Sequence, residues 1–260
     1  MSKTERMVID GVGLELRRWP GKGAPILLLH EGLGSISMWR DFPERLANTT
    51  GHEVIAWSRR GHGFSDPLPE KRDPDYMHRE AEALDALFDR LEIGRAHLFG
   101  HSDGGSIALI AAARHPDRVA SLTLEAPHVL VEQLTVDSIA KVKTVYETSD
   151  LGRKLGRHHR DADHTFRRWN DIWLDPRFRD WNIEDVLPAI RAPALLIQGR
   201  ADEYGTLDQL DRIAAILPAT RRLELEACGH SPHRDQPEAV LVAVRDFIAG
   251  FTRLRAAADA

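Results

Sequence analysis

Short apolar runs at intervals along the chain limit its fold more than any other feature. Ile26-Leu27-Leu28-Leu29 and Val54-Ile55-Ala56-Trp57 are apolar without a break, and Ala96-His97-Leu98-Phe99 nearly so. Val119 to Leu124, Ala194-Leu195-Leu196-Ile197 and Leu223-Glu224-Leu225 complete the set. Strands apolar on successive residues are covered on both faces, as in a parallel sheet. Between them the period changes. Ala81, Leu84, Leu87, Phe88 and Leu91 recur at three- and four-residue steps, the spacing of one helix face. Leu210, Ile213, Ala214 and Leu217 repeat this before Pro218, and Val240, Val244, Phe247 and Phe251 follow Pro237. Before the first run, Met7-Val8-Ile9 and Leu14-Glu15-Leu16 flank Asp10-Gly11 as a hairpin. Alternating strands and helices predict an α/β protein whose mostly parallel central sheet is layered between helices.

The rhythm fails once. From His128 to about Pro188 there is no buried-strand run, only polar helical sequence carrying Trp169, Trp173 and Trp181. So long a stretch without structure would be unusual in a compact domain. It reads as a helical cap, residues 128–188, inserted before the last two strands of a core formed by 1–127 and 189–260. The alanine-rich end, Ala256 to Ala260, reads as frayed.

Composition narrows the class. The 260 residues are 42% hydrophobic and 29% charged, an ordinary globular balance. A net charge of −5 builds no field toward nucleic acid or anionic membrane. The lone Cys228 allows neither an internal disulfide nor a multi-cysteine zinc site, and reads as a small buried residue. The first residues lack the apolar run of a signal peptide, and no apolar stretch approaches membrane-spanning length. The expectation is a cytoplasmic protein acting on a small molecule, with no nucleic-acid or membrane partner and its oligomeric state open.

Chemistry concentrates where strands end. Gly100-His101-Ser102-Asp103-Gly104 follows the strand Ala96 to Phe99 directly and opens a helix-forming run. Strand before and helix after are the context in which G-x-S-x-G forms a tight elbow that lifts its serine above the sheet. A serine hydroxyl needs a base to become nucleophilic. His230, in Gly229-His230-Ser231-Pro232 just past the last strand, is the candidate. Asp202, 28 positions earlier and past the strand Ala194 to Ile197, is the acid to hold its tautomer. Glu125 is the rival acid, whereas Glu203 is expected to point away. His101 reads as packing in the elbow and His233 as exposed. Acyl chemistry also needs donors for an oxyanion. Asp103 supplies one backbone N–H, its side chain standing as a pocket wall or supporting group. Gly32 or Leu33, in His30-Glu31-Gly32-Leu33-Gly34-Ser35, supplies the other.

With His30-Glu31-Gly32, the segment Ser58-Arg59-Arg60-Gly61-His62-Gly63-Phe64-Ser65-Asp66-Pro67, the elbow, Gly199-Arg200-Ala201-Asp202 and Gly229-His230, the chain resembles the α/β-hydrolase fold superfamily over essentially its whole length. Members usually carry His-Gly after the third strand; here Glu31 separates His30 from Gly32. The resemblance implies hydrolysis through an acyl-enzyme without metal or organic cofactor, with Ser102, His230 and Asp202 as the triad. Glu31, Trp169 and Trp173 are then candidates for the substrate pocket. The expected reaction is cleavage of a carboxylic ester or related carbonyl. Capped relatives that cleave carbon–carbon bonds of vinylogous diketones, acyl transfer or perhydrolysis, and non-catalytic ligand receptors are the alternatives. Dehalogenase and epoxide-hydrolase chemistry is disfavoured, since those elbows carry aspartate where Ser102 stands.

Two further clusters read as surface. His158, His159, Asp161, Asp163 and His164 look like a polar face of the cap rather than a metal site. Arg153, Lys154, Arg157 and Arg160 lie at helical spacing and read as a solvated stripe.

Overall fold

The computed structural model describes residues 3–217 and 219–258, the side chains of 251–258 excepted. The expectations placed on Pro218, on the Phe251 side chain and on the last residues of the tail lie outside the described residues.

Eight strands form one sheet: β1 (Thr4–Ile9), β2 (Val12–Trp19), β3 (Ile26–Leu29), β4 (Val54–Ser58), β5 (Ala96–His101), β6 (Val119–Glu125), β7 (Ala194–Gly199) and β8 (Thr220–Leu225). They lie in the order β1-β2-β4-β3-β5-β6-β7-β8. Only β2 runs against its neighbours, pairing antiparallel with both β1 and β4. The β1–β2 turn has positive φ at Asp10 (49°) and Gly11 (78°), as a two-residue hairpin turn demands. From β3 the chain passes to β4 on one side and then crosses back to β5 on the other. Such a reversal opens a crevice at the carboxyl ends of the strands flanking it, here β3 and β5.

The continuous apolar runs serve both faces because successive side chains alternate. Ile26, Leu28, Val54, Ala56 and Phe99 meet helices α1 (Phe42–Thr50) and α9 (Pro237–Ala258) in one core. Leu27, Leu29, Ile55, Leu98 and Leu196 pack on the other side, with α2 (Tyr76–Arg90), α3 (Asp103–Arg114) and α7 (Asp208–Ile216). The short α8 (Pro232–Asp235) precedes α9.

Between β6 and β7 lie α4 (Gln133–Thr148), α5 (Leu151–Leu155), α6 (Ala162–Trp173) and 3-10 turns at Pro176–Phe178 and Glu184–Ala189. Residues 128–188 hold no strand among the described residues, only an isolated bridge between Leu130 and Asn182. Trp169, Trp173 and Trp181 are all buried, and Trp173 and Trp181 pack around Phe178. No helix among the described residues is long and apolar enough to cross a membrane.

Candidate active site

Ser102 sits between β5 and α3 with φ 54° and ψ −119°. A side chain rarely adopts that conformation, and holding it costs about 1–3 kcal/mol. Close approach on every side enforces it. A Cβ on Gly104 would lie 2.0 Å from the Leu29 carbonyl oxygen, and one on Gly100 would lie 2.3 Å from the Gly104 oxygen. The Ser102 N–H donates to the Glu125 carbonyl at 2.9 Å, and the Ser102 carbonyl accepts from Gly105 and Ser106, starting α3. The serine thus stands at the positive end of a helix. The Asp103 N–H belongs to the first turn, where the helical ladder has no acceptor for it.

His230 lines the same cavity as Ser102, a space of about 320 Å3. Its Nδ1–H donates to Asp202, at 2.8 Å from Oδ1 and 3.0 Å from Oδ2. Asp202 also accepts from the Tyr204 N–H at 2.8 Å and from Gln198 Nε2 at 3.2 Å, so its carboxylate is fixed and hydrogen-bonded. Burial works against the His230 imidazolium. Even so, the charge and hydrogen bond of Asp202, with Glu203 and Glu31 adding theirs, raise its pKa above the ordinary value. Burial likewise works against the Asp202 carboxylate, but His230 and the backbone bond hold its pKa below the usual range. His230 thus shares a cavity with Ser102 on one side and a hydrogen bond with Asp202 on the other.

The rival acid is occupied elsewhere. Glu125 Oε2 accepts from His233 Nδ1 at 2.7 Å, with both side chains almost wholly buried. His233, expected to be exposed, is instead packed against Trp39, Phe42 and His101. Its loop position suggested solvent, but α8 folds it inward beneath the elbow. His101 is buried in the elbow as expected, and its Nε2–H donates to the His230 carbonyl at 2.7 Å. Glu203, expected to point away, also lines the cavity, its Oε2 accepting from the His230 N–H at 3.3 Å. Both neighbouring acids thus reach His230, Asp202 at its ring and Glu203 at its backbone N–H.

Partners from two other segments hold the loop after β3. His30 Nε2 accepts from the Arg59 N–H at 3.0 Å, and His30 Nδ1–H donates to the Glu31 carbonyl at 2.7 Å. Burial and the Arg59 charge lower the His30 pKa, in keeping with that neutral pattern. His159 Nε2–H donates to the Leu33 carbonyl at 2.9 Å, while its Nδ1 accepts from the Gly63 N–H at 2.9 Å. The predicted polar face is therefore partly a seam: His159 is buried, His158 bonds Ser37 and His164 bonds the Leu68 carbonyl. A lone sequence cannot distinguish a solvated histidine from one that reaches a carbonyl 126 residues away. Arg153 and Lys154 do pair with Asp150 on an exposed face.

Glu31 and the donors separate here. Glu31 Oε2 accepts the Leu33 N–H at 2.5 Å, so of the two expected oxyanion donors Leu33 is already taken and Gly32 is not so engaged. Gly32 lies against Trp169, whose indole atoms would be 2.2 Å from a Cβ there. Trp169, Trp173 and Tyr204 form cavity walls, with Ile139, Val142 and Leu155 apolar beyond them. His128 and Tyr204, which sequence reasoning did not single out, lie 5.9 and 4.7 Å from His230, ring centre to ring centre. Tyr204 stood two residues from Asp202, a signal available in the sequence. Nothing in the sequence marked His128. Cys228 is buried as expected, and burial pushes its thiol up to about 12, far from a reactive thiolate.

Comparison with known proteins agrees with the sheet. A family model described as alpha/beta hydrolase fold matches residues 24–148. The chain is 29% identical over 205 residues to a Homo sapiens protein named Serine hydrolase BPHL, covering 76% of this chain and 69% of that one. It is 27% identical over 258 residues to a Pseudomonas putida 2-hydroxy-6-oxononadienedioate/2-hydroxy-6-oxononatrienedioate hydrolase, covering 88% and 89%. Among solved structures, a bacterial membrane phospholipase A superposes with a TM-score of 0.79 at 23% identity, covering 96% and 87%.

Proposed function

Because this chain has the α/β-hydrolase fold, we propose that it is a serine hydrolase that cleaves a carboxylic ester of a small molecule through an acyl-enzyme on Ser102. The reading rests on one observation above all: a serine at a positive-φ strand–helix turn shares a cavity with a histidine whose far nitrogen is held by a buried carboxylate. His230 Nε2 takes the Ser102 proton as the oxygen bonds to the ester carbonyl carbon. The Asp103 and Gly32 N–H groups receive the negative oxygen, each worth roughly 3–4 kcal/mol in the transition state. Collapse breaks the bond to the alcohol, which leaves with the proton from His230. Water, deprotonated by His230, then adds to the acyl carbon, and release of the acid restores Ser102. Residues 128–188 act as a cap over a core of 1–127 and 189–260, with Trp169 and Trp173 excluding water from the acyl group.

The test is labelling with a fluorophosphonate, beside turnover of p-nitrophenyl esters of graded chain length and of a vinylogous diketone. Labelling lost in Ser102→Ala and His230→Ala, with ester turnover falling by three or more orders of magnitude in Ser102→Ala, supports the proposal. Near wild-type turnover by folded Ser102→Ala would remove the mechanism. Diketone turnover without ester turnover would move the same residues to carbon–carbon bond hydrolysis.

A further inference from the structure

We propose that this cavity selects substrates bearing an ammonium group close to the scissile ester, held among the carboxylates of Glu31, Asp103 and Glu203. The inference rests on the serine-hydrolase reading and names a substrate class for the same site.

All three carboxylates line the cavity that contains Ser102, and no Lys or Arg among the described residues lines it with them. The acids alone would prove little. Asp103 adds a second observation: it is 1% exposed, Tyr76 Oη donates to its Oδ2 at 2.8 Å, and its Oδ1 has no hydrogen-bond partner among the described residues. A buried carboxylate oxygen left unbonded is costly, and a donor arriving with the substrate removes that cost. His128 does not serve as the counter-cation. Burial and the nearby His230 hold it at about 4, so it is neutral at physiological pH. Arg59 is a buried cation whose charge acts on both Glu31 and Asp103, but it does not line the cavity: its donors are tied to the His30 and Glu31 carbonyls and it approaches Glu80.

The walls suit the same ligand. Trp169, Trp173 and Tyr204 present aromatic surface, to which an ammonium group is drawn. The reaction sharpens the preference. Attack by Ser102 places a negative oxygen beside Gly32, next in the chain to Glu31. A neutral ester must develop that charge among three carboxylates, and a carboxylate-bearing ester brings a fourth. A substrate ammonium offsets both. Dianionic substrates, such as the dioates in the Pseudomonas putida relative's name, find no Lys or Arg among the described residues that line this cavity.

Binding and turnover are measured separately. Using Ser102→Ala protein, tryptophan fluorescence is titrated with hexylammonium and with hexanoate. Hexylammonium should bind at least about 10-fold more tightly, and Glu31→Gln, Asp103→Asn and Glu203→Gln, each added to Ser102→Ala, should narrow that ratio. For turnover, kcat/KM is compared, after subtraction of spontaneous hydrolysis, among the p-nitrophenyl esters of 2-aminohexanoate and hexanoate and the mono-p-nitrophenyl ester of butylmalonate, which place a cation, no charge and an anion beside the ester. Cationic should exceed neutral and neutral exceed anionic, with about 10-fold or more between the extremes. Hexanoylcholine, with its charge on the alcohol side, shows which half of the ester the carboxylates face. Equal binding of the two hexyl ions, or an ammonium preference unchanged in all three variants, overturns the inference. An ammonium preference in binding without any ester turnover would uphold it while removing the serine-hydrolase reading.

Discussion

At the scale of single residues, position outweighs chemical type. Of thirteen histidines, only His230 both lines the Ser102 cavity and bonds a buried aspartate. In the proposed mechanism Asp202 holds the tautomer that leaves Nε2 free to accept a proton. Asp202→Asn should therefore lower kcat by about 10^4-fold while thermal unfolding shifts little, measured by ester turnover beside calorimetry. The pH profile carries a second prediction. Catalysis needs neutral His230, and its neighbours raise its pKa, so kcat/KM should climb with pH through a limb above about 6.5. Glu203→Gln removes one of the charges favouring the imidazolium. That limb should move to lower pH, and an unmoved limb would detach Glu203 from the base.

At the scale of elements, the site is held by close backbone approach. Gly104 lets α3 lie against β3, and any side chain there would strike the Leu29 carbonyl at 2.0 Å. Gly104→Ala should destabilise the protein by about 1–3 kcal/mol or more in urea unfolding, because backbone on both sides must shift. Gly94 is the control. A Cβ there meets nothing within 4 Å, so Gly94→Ala should stay within about 0.5 kcal/mol. Most elements were legible beforehand because period and punctuation agree: Asp10-Gly11 turns the hairpin and Pro237 opens α9. Edges were less legible. Leu223 to Leu225 marked β8, whose ladder begins at Thr220 because pairing with β7 extends through the polar Arg221 and Arg222.

At the scale of the whole molecule, the crevice is a product of topology. β3 lies between β4 and β5, so the loop after β3 and the elbow after β5 face each other though 70 residues separate Gly32 from Ser102. Beneath them the Glu125–His233 pair ties the end of β6 to α8. His233→Ala would leave a buried carboxylate alone and should cost about 3–5 kcal/mol, read from urea unfolding. Apolar periodicity and the strand–G-x-S-x-G–helix context marked the layered sheet and the elbow at Ser102, and the loops just past two strands marked Asp202 and His230 as candidates, because each of these signals lies within a few neighbouring positions. Tertiary structure alone decided that Glu125 faces His233, that Glu203 turns toward His230 and that Glu31 takes the Leu33 N–H. A charged or polar side chain chooses its partner by the distances and desolvation it meets after folding, and a linear sequence records neither.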